Sequence, residues 1–245
     1  MSECKFYLAG HTAALSHAAE ILKHSGIEFL PRPGEDVTHL LLPVPSFDPE
    51  GFIKGSGSLE ALLAKLPKDI TVIGGNLSRP ELENYKVLDL LTDPQYIAAN
   101  ASITAHCAVK LAMNKLPVVL EGQNVLVIGW GRIGKCLAQL LKSMGAKVTV
   151  AARKETDRSM LQALGFGTAD TATLDILPYR VVFNTVPAMI SPQSPGSALK
   201  IDLASRLGLG SLDVIWARGL PGREAPESSG ALIARTVLRQ LNEKE

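Results

Sequence analysis

Gly129-Trp130-Gly131-Arg132-Ile133-Gly134 spaces three glycines as GxGxxG, a pattern whose chemistry is phosphate recognition by bare backbone. A β-branched run, Asn124 to Ile128, leads into it, and Ile133, Leu137, Leu140, Leu141 and Met144 recur behind it on one helical face. The glycines should therefore sit in a strand-to-helix turn. There Gly129 permits the tight turn, Gly131 removes the Cβ that would block a pyrophosphate, and Gly134 lets helix and strand approach. The helix N-terminus adds N–H groups and the positive end of its dipole. Trp130, Arg132 and Ile133 join the glycines as candidate cofactor-binding residues. The other reading of the motif is a structural turn that binds nothing.

A dinucleotide-binding turn of this kind expects an acidic residue roughly twenty positions on, to hold the ribose 2′-OH of NAD. The strand Val148 to Ala152 ends instead in Arg153-Lys154. A cation at that tip accommodates a 2′-phosphate, which favours NADP while leaving NAD acceptable. Two solvated basic residues at a strand end are the alternative. Another strand, Val181 to Asn184, runs into Thr185-Val186-Pro187. The carboxyl edge of a doubly wound sheet faces its ligand, so Asn184 and Thr185 are candidate contacts of the nicotinamide ribose, and Pro187 is a further candidate cofactor-binding residue. Turn capping before Pro187 is the alternative.

The elements that must position these residues alternate throughout. Strands are expected at 6–9, 37–42, 71–73 and 87–91, with helical faces at 14–22 and 59–66 and a Pro-, Gly- and Ser-rich loop over 43–58. Residues 96–114 read as a long helix with Ile97, Ala101, Ala105, Ala108 and Ala112 on one face, stopped by Pro117. Further strands are expected at 125–128, 147–152, 181–184, 200–203 and 214–217, and helices at 133–144, 159–164 and 229–241. This order predicts an α/β protein of two Rossmann-like lobes, the second a doubly wound parallel-sheet NAD(P)-binding domain. The expected organisation is a substrate lobe over 1–95, an interlobe helix over 96–116, the nucleotide domain over 117–225, and a C-terminal helix over 226–245 that packs back on the first lobe.

Composition agrees with such an enzyme. The 245 residues are 46% hydrophobic and 20% charged, enough for a sizeable core, and the formal charge of +1 supplies no broad field for nucleic acid or an anionic membrane. The charge-free stretch 181–199 carries Asn184, Pro187 and Pro192 and does not read as a membrane span. The start lacks the basic and apolar regions of a secretion signal, which predicts a cytoplasmic protein. Cys4, Cys107 and Cys136 have no CxxC spacing, so buried thiols are expected, without a disulfide framework or a metal site.

Several longer stretches together carry a family resemblance: "HLLLPVP" followed by "GF", "TVIGGNLS", "NVLVIGWGRIGKCLAQLLKSMGAKVTVAAR", "VVFNTVPAMI", "IDLASR" and "GLPGREAPESSGALIA". Through most of its length the chain resembles the dehydrogenase subunit of dipicolinate synthase from spore-forming bacteria. The resemblance implies a two-lobed pyridine-nucleotide oxidoreductase working with a separate flavoprotein subunit. Its product would be pyridine-2,6-dicarboxylate, made by oxidising a dihydrodipicolinate or its hydrated precursor from the lysine pathway. A homo-oligomer is expected. The chain departs from the family after "DLAS", where Arg206-Leu207-Gly208-Leu209-Gly210 stands in place of a Gly-Gly pair.

Aromatising a dihydropyridine dicarboxylate needs a hydride acceptor, removal of a ring proton, and cationic or N–H donors for two carboxylates. Arg218 and Arg223, flanking Gly219-Leu220-Pro221-Gly222 in an expected loop, are candidate donors, with Asn100, Ser102 and Thr104 on the interlobe helix. His106 is a candidate base, with a surface or interface histidine as its other reading. A 2-hydroxy-acid dehydrogenase is the main enzymatic rival, but its catalytic His follows the dinucleotide fold and this chain has no His after His106. A shikimate-type dehydrogenase would need a Lys and Asp pair that no motif supplies. A non-catalytic NADP sensor, or a scaffold for the flavoprotein, is the alternative from another class.

Overall fold

Two fully parallel sheets form in the computed structural model, which describes residues 4–194, 196–210 and 213–243. The first three residues of the chain start, expected to carry no secretion signal, lie outside that range. The chain divides into two compact units, residues 1–100 with 221–245, and residues 101–220.

In the first unit, β1 (Lys5–Leu8), β2 (Glu28–Leu30), β3 (His39–Leu41), β4 (Thr71–Gly74) and β5 (Lys86–Asp89) stand in the order β2-β1-β3-β4-β5. Helices α1 (Ala13–His24) and α2 (Leu59–Leu63) connect them. Thr12 starts α1 by accepting the Leu15 N–H, and Ala14, Leu15, Ala18, Ala19 and Leu22 form its buried face. Helix α7 (Pro226–Asn242) packs on α1 at Gly230, where an added Cβ would lie 2.6 Å from the Ala14 carbonyl oxygen. Strand β2 had no signal in the sequence: it has three residues and none is fully buried, so no apolar alternation marks it.

Helix α3 (Pro94–Lys115) opens with Pro94 at its first position and Asp93 as cap, the Asp93 carboxylate accepting the Tyr96 N–H at 2.8 Å. That carboxylate also accepts from Arg239 and, at 2.8 Å, from Gln240, both on α7. Burial alone would raise the Asp93 carboxyl, but the Tyr96 N–H and the Arg239 and Gln240 bonds outweigh it and hold it below its ordinary range.

The second unit holds β6 (Asn124–Ile128), β7 (Lys147–Ala151), β8 (Gly167–Ala169), β9 (Val181–Asn184), β10 (Leu199–Asp202) and β11 (Val214–Trp216), in the order β11-β10-β9-β6-β7-β8. Counted from β6 this is the doubly wound order 3-2-1-4-5-6, whose direction reverses between β6 and β9. Helices α4 (Arg132–Ser143) and α5 (Glu155–Ala163) make the crossovers after β6 and β7. Central strands are buried on both faces, which is why Val125–Ile128 and Val181–Phe183 read as unbroken apolar runs.

The expected loop around Arg223 is a short helix, α6 (Leu220–Glu224). Gly219 turns the chain at φ +64°, Pro221 falls in the first turn where its missing N–H costs nothing, and Pro226 holds Ala225 outside helical geometry before α7. Of the cysteines only Cys107 is buried, while Cys4 and Cys136 are half-buried. No helix among the described residues is long and apolar enough to cross a membrane, and no group of three or more His, Cys, Asp or Glu among them could hold a metal ion.

Candidate nucleotide-binding site

The β6–α4 turn shows why each of its glycines is needed. Gly129 adopts φ +104°, and a Cβ there would lie 2.5 Å from Thr185 Oγ1 and 2.7 Å from Val186 Cγ2. Its N–H donates to the Ala151 carbonyl at 2.9 Å, tying the tips of β6 and β7 together. A Cβ on Gly134 would overlap the Gly129 carbonyl oxygen, so this glycine sets the distance between α4 and β6. Gly131 is different: no atom lies within 4 Å of its Cβ position, and its backbone is extended, open to any residue type. Two glycines are required by the protein itself, and the third leaves a cradle that a Cβ would partly fill. That combination fits a pyrophosphate laid on the helix N-terminus, with Gly131 as the point of closest approach.

Around the turn, Arg132 is exposed at the first position of α4 and Ile133 is half-buried. Trp130 is half-buried, its ring edge against Phe166 at 6.0 Å and the Lys135 ammonium 5.6 Å from its centroid. Thr185 is half-buried, and its hydroxyl donates to the Ile128 carbonyl at 2.9 Å; Pro187 is exposed.

Asn184 corrects the sequence reading. It is fully buried; its Nδ2 donates to the Val186 carbonyl at 3.0 Å and to Asp202 Oδ2 at 2.9 Å, while its Oδ1 accepts the Val186 N–H at 3.0 Å. With its amide committed to these bonds, Asn184 caps the turn rather than presenting donors to a ligand. Asp202, which nothing in the sequence singled out, anchors the same network. Its buried carboxylate accepts from the N–H groups of Ala204, Gly208 and Leu209 at 2.8–3.1 Å. The loops after β9 and β10 are thereby held as one block.

At the end of β7, Arg153 and Lys154 are both exposed, and Lys154 is the residue from which α5 starts. A cationic, solvent-facing strand tip with no acid on the strand itself fits a 2′-phosphate.

The residues proposed for substrate chemistry lie on both units. Asn100 and Arg223 belong to the first, and Ser102, Thr104, His106 and Arg218 to the second. Along α3, Thr104 is buried and Asn100 half-buried, whereas Ser102, His106 and Lys110 form an exposed stripe at four-residue spacing. His106, the candidate base, is thus a solvent-facing residue of the helix. Arg218 lies over the Trp216 ring, 5.2 Å from its centroid, and Arg223 is exposed on α6.

Comparison with known proteins agrees with this geometry. Residues 95–188 match the D-isomer specific 2-hydroxyacid dehydrogenase, NAD binding domain family. The chain is 26% identical to the A subunit of dipicolinate synthase from Bacillus subtilis (strain 168) over 238 residues, covering 86% of this chain and 80% of that protein. Among solved structures, the A subunit of dipicolinate synthase from Bacillus halodurans superposes with a TM-score of 0.83 at 22% identity, covering 98% of each chain. The dipicolinate synthase A chain from Bacillus subtilis gives 0.82 at 23% identity, covering 99% of this chain and 97% of its own. The hydroxy-acid family model matches residues 95–188 alone, whereas the sequence similarity to dipicolinate synthase covers 86% of the chain. The solved D-lactate dehydrogenase from Escherichia coli also superposes over 98% of this chain and 97% of its own, at a lower TM-score of 0.57 and 12% identity. The chain is an NAD(P)-dependent dehydrogenase similar along its length to the A subunit of dipicolinate synthase.

Proposed function

We propose that this dehydrogenase forms pyridine-2,6-dicarboxylate by oxidising a dihydrodipicolinate-type intermediate, with NADP preferred to NAD. The observation that carries the reading is the similarity to the A subunit of dipicolinate synthase through 86% of the chain. In this oxidation the ring loses a hydride and a proton and becomes aromatic, and the bound nicotinamide supplies the hydride acceptor. The chain's own contribution to the cofactor is orientation: the Gly131 cradle and α4 N-terminus for the pyrophosphate, and the Arg153 tip for the 2′-phosphate. Arg218 and Arg223 are the proposed carboxylate donors, since a guanidinium fork holds a carboxylate with two parallel bonds. Aromatisation favours product strongly, so the proton can leave without a strong base.

The resemblance to dipicolinate synthase also supports a cytoplasmic protein that forms a homo-oligomer and works with a flavoprotein as its second component. Co-expression with a candidate flavoprotein partner, followed by an ultraviolet assay for pyridine dicarboxylate, tests the reading. Product should form only when both proteins and a pyridine nucleotide are present. In a thermal-shift assay with NADP, dipicolinate should raise the melting temperature more than a pyridine monocarboxylate does, because a ligand that binds only the folded state stabilises it. No product, and no shift with any pyridine dicarboxylate despite NADP binding, would refute the synthase reading and leave a nucleotide-binding sensor.

A further inference from the structure

A second guanidinium stands at the tip of β7, five residues beyond Arg153. Arg158, in α5, places Nη1 2.8 Å from the Ala152 carbonyl oxygen, 2.9 Å from the Arg153 carbonyl oxygen and 3.1 Å from Asp170 Oδ2. All three contacts fall on one nitrogen. A guanidinium carries five N–H donors on three nitrogens, and the Nε and Nη2 groups of Arg158 have no protein acceptor among the described residues. Glu155 and Asp157, in the first turn of the same helix, form no ion pair with it. Asp170 directly follows β8, which pairs with β7 through Ala151 and Ala169, so the anchors of Arg158 come from just beyond both neighbouring strand ends.

The fixed Nη1 has a consequence for the opposite edge. A free arginine side chain loses rotamer freedom when it binds an anion, whereas one held on strand-end carbonyls has lost most of it already. The edge left without acceptors is the pair of parallel donors that matches two phosphate oxygens. Because Nη1 binds the carbonyl of Arg153 itself, Arg158 also fixes the backbone from which the Arg153 side chain projects.

We propose that Arg158 is the second arm of a clamp for the 2′-phosphate, an anchored guanidinium beside the exposed Arg153, selecting dinucleotides that carry a 2′-phosphomonoester. The proposal rests on the NADP preference stated above and assigns the selectivity to a pair of arginines rather than to Arg153 alone.

Isothermal titration of NADP and NAD into wild type, Arg153→Ala, Arg158→Gln and Arg158→Lys tests it. Arg158→Gln retains a donor for the carbonyls but loses the charged edge, and should weaken NADP about tenfold or more while leaving NAD within about twofold. Arg158→Lys keeps the charge, the Asp170 pair and a bond to the strand end, so it should fold as wild type does. Lacking the second pair of donors, it should still lose about three- to tenfold for NADP. Adenosine 2′,5′-bisphosphate should follow NADP, and adenosine 5′-monophosphate should follow NAD. Equal losses for both dinucleotides, or a wild-type NADP to NAD ratio in both Arg158 variants, would overturn the proposal. If Arg153→Ala abolishes the preference while both Arg158 variants keep it, the clamp fails and the NADP reading stands. Wild type binding NAD as tightly as NADP would overturn both.

Discussion

Replacing Gly134 by Ala and Gly131 by Val should separate folding from binding within one turn. At Gly134 the new methyl overlaps the Gly129 carbonyl oxygen and lies 3.0 Å from its carbonyl carbon. Carbon contacts are comfortable from ~3.5 Å, so α4 must withdraw from β6 by at least ~0.5 Å, against backbone that cannot turn aside. Overpacking costs about 1–3 kcal/mol, and a clash with main chain belongs at the upper end. About 3 kcal/mol in a chain of this size lowers the melting temperature by about 6–12 °C. Gly131 has no neighbour within 4 Å of the Cβ position and needs no special backbone angle, so Val there forfeits only the cap preference. That is ~0.5–1 kcal/mol, or about 1–4 °C. Nucleotide affinity should respond in the opposite sense: Gly131→Val fills the cradle and should weaken NADP more than about a hundredfold. Scanning calorimetry gives the melting temperatures and titration calorimetry the affinities. Normal stability in Gly134→Ala, or normal NADP binding in folded Gly131→Val, would refute the division of roles.

Asp202→Ala leaves the Asn184 amide and three backbone N–H groups without an acceptor in a buried site, and should cost about 3 kcal/mol or more by urea unfolding. Asp93→Ala removes the cap of α3 and the acceptor for α7, and should cost ~1 kcal/mol at neutral pH, or about 2–4 °C. Because the folded state holds the Asp93 carboxyl below its ordinary value, the stabilisation is complete above the unfolded value, ~3.9, and fades as pH falls through the folded one. Wild type and Asp93→Ala should therefore converge in stability in strong acid, and a constant gap down to that range would contradict the assignment. His106→Gln, on the exposed stripe of α3, should leave turnover within about twofold of wild type if no strong base is needed; a loss of a hundredfold or more would assign His106 as the base.

Legibility followed burial. Strands β6 and β9 are buried on both faces and stood out as apolar runs at the residues where they form, and α4 was marked by its apolar stripe and the glycines before it. Strands β2 and β8 were invisible: each has three residues and no fully buried one, and each is placed by pairing with a longer neighbour rather than by its own pattern. Helix α5 begins four residues earlier than its apolar face suggests, because Glu155 and Asp157 favour a helix N-terminus without showing apolar periodicity. In the site, the glycines were readable because backbone geometry excludes other residues. Arg158 was not, because its position is set by carbonyls of the neighbouring loop and an acid just after β8, which sequence spacing does not encode.

The loop after β10 shows the same limit from the other side. In the stretch Arg206-Leu207-Gly208-Leu209-Gly210, Gly208 could not be replaced: a Cβ there would lie 2.5 Å from Asn184 Nδ2 and 2.7 Å from the Val186 and Ala188 carbonyl oxygens. Its N–H and that of Leu209 supply two of the donors that Asp202 needs, and the Ile190 N–H donates to its carbonyl at 2.7 Å. Leu207 and Arg206, by contrast, are exposed and meet no such constraint. The loop can therefore change at Arg206 and Leu207 while the block formed with Asn184 stays intact. That block carries Thr185 and Val186, the two side chains that require Gly129 to be a glycine. The shape of the pyrophosphate turn is thus set partly by an aspartate and a glycine on a different strand connection, and substitution at the exposed positions Arg206 and Leu207 touches none of those contacts.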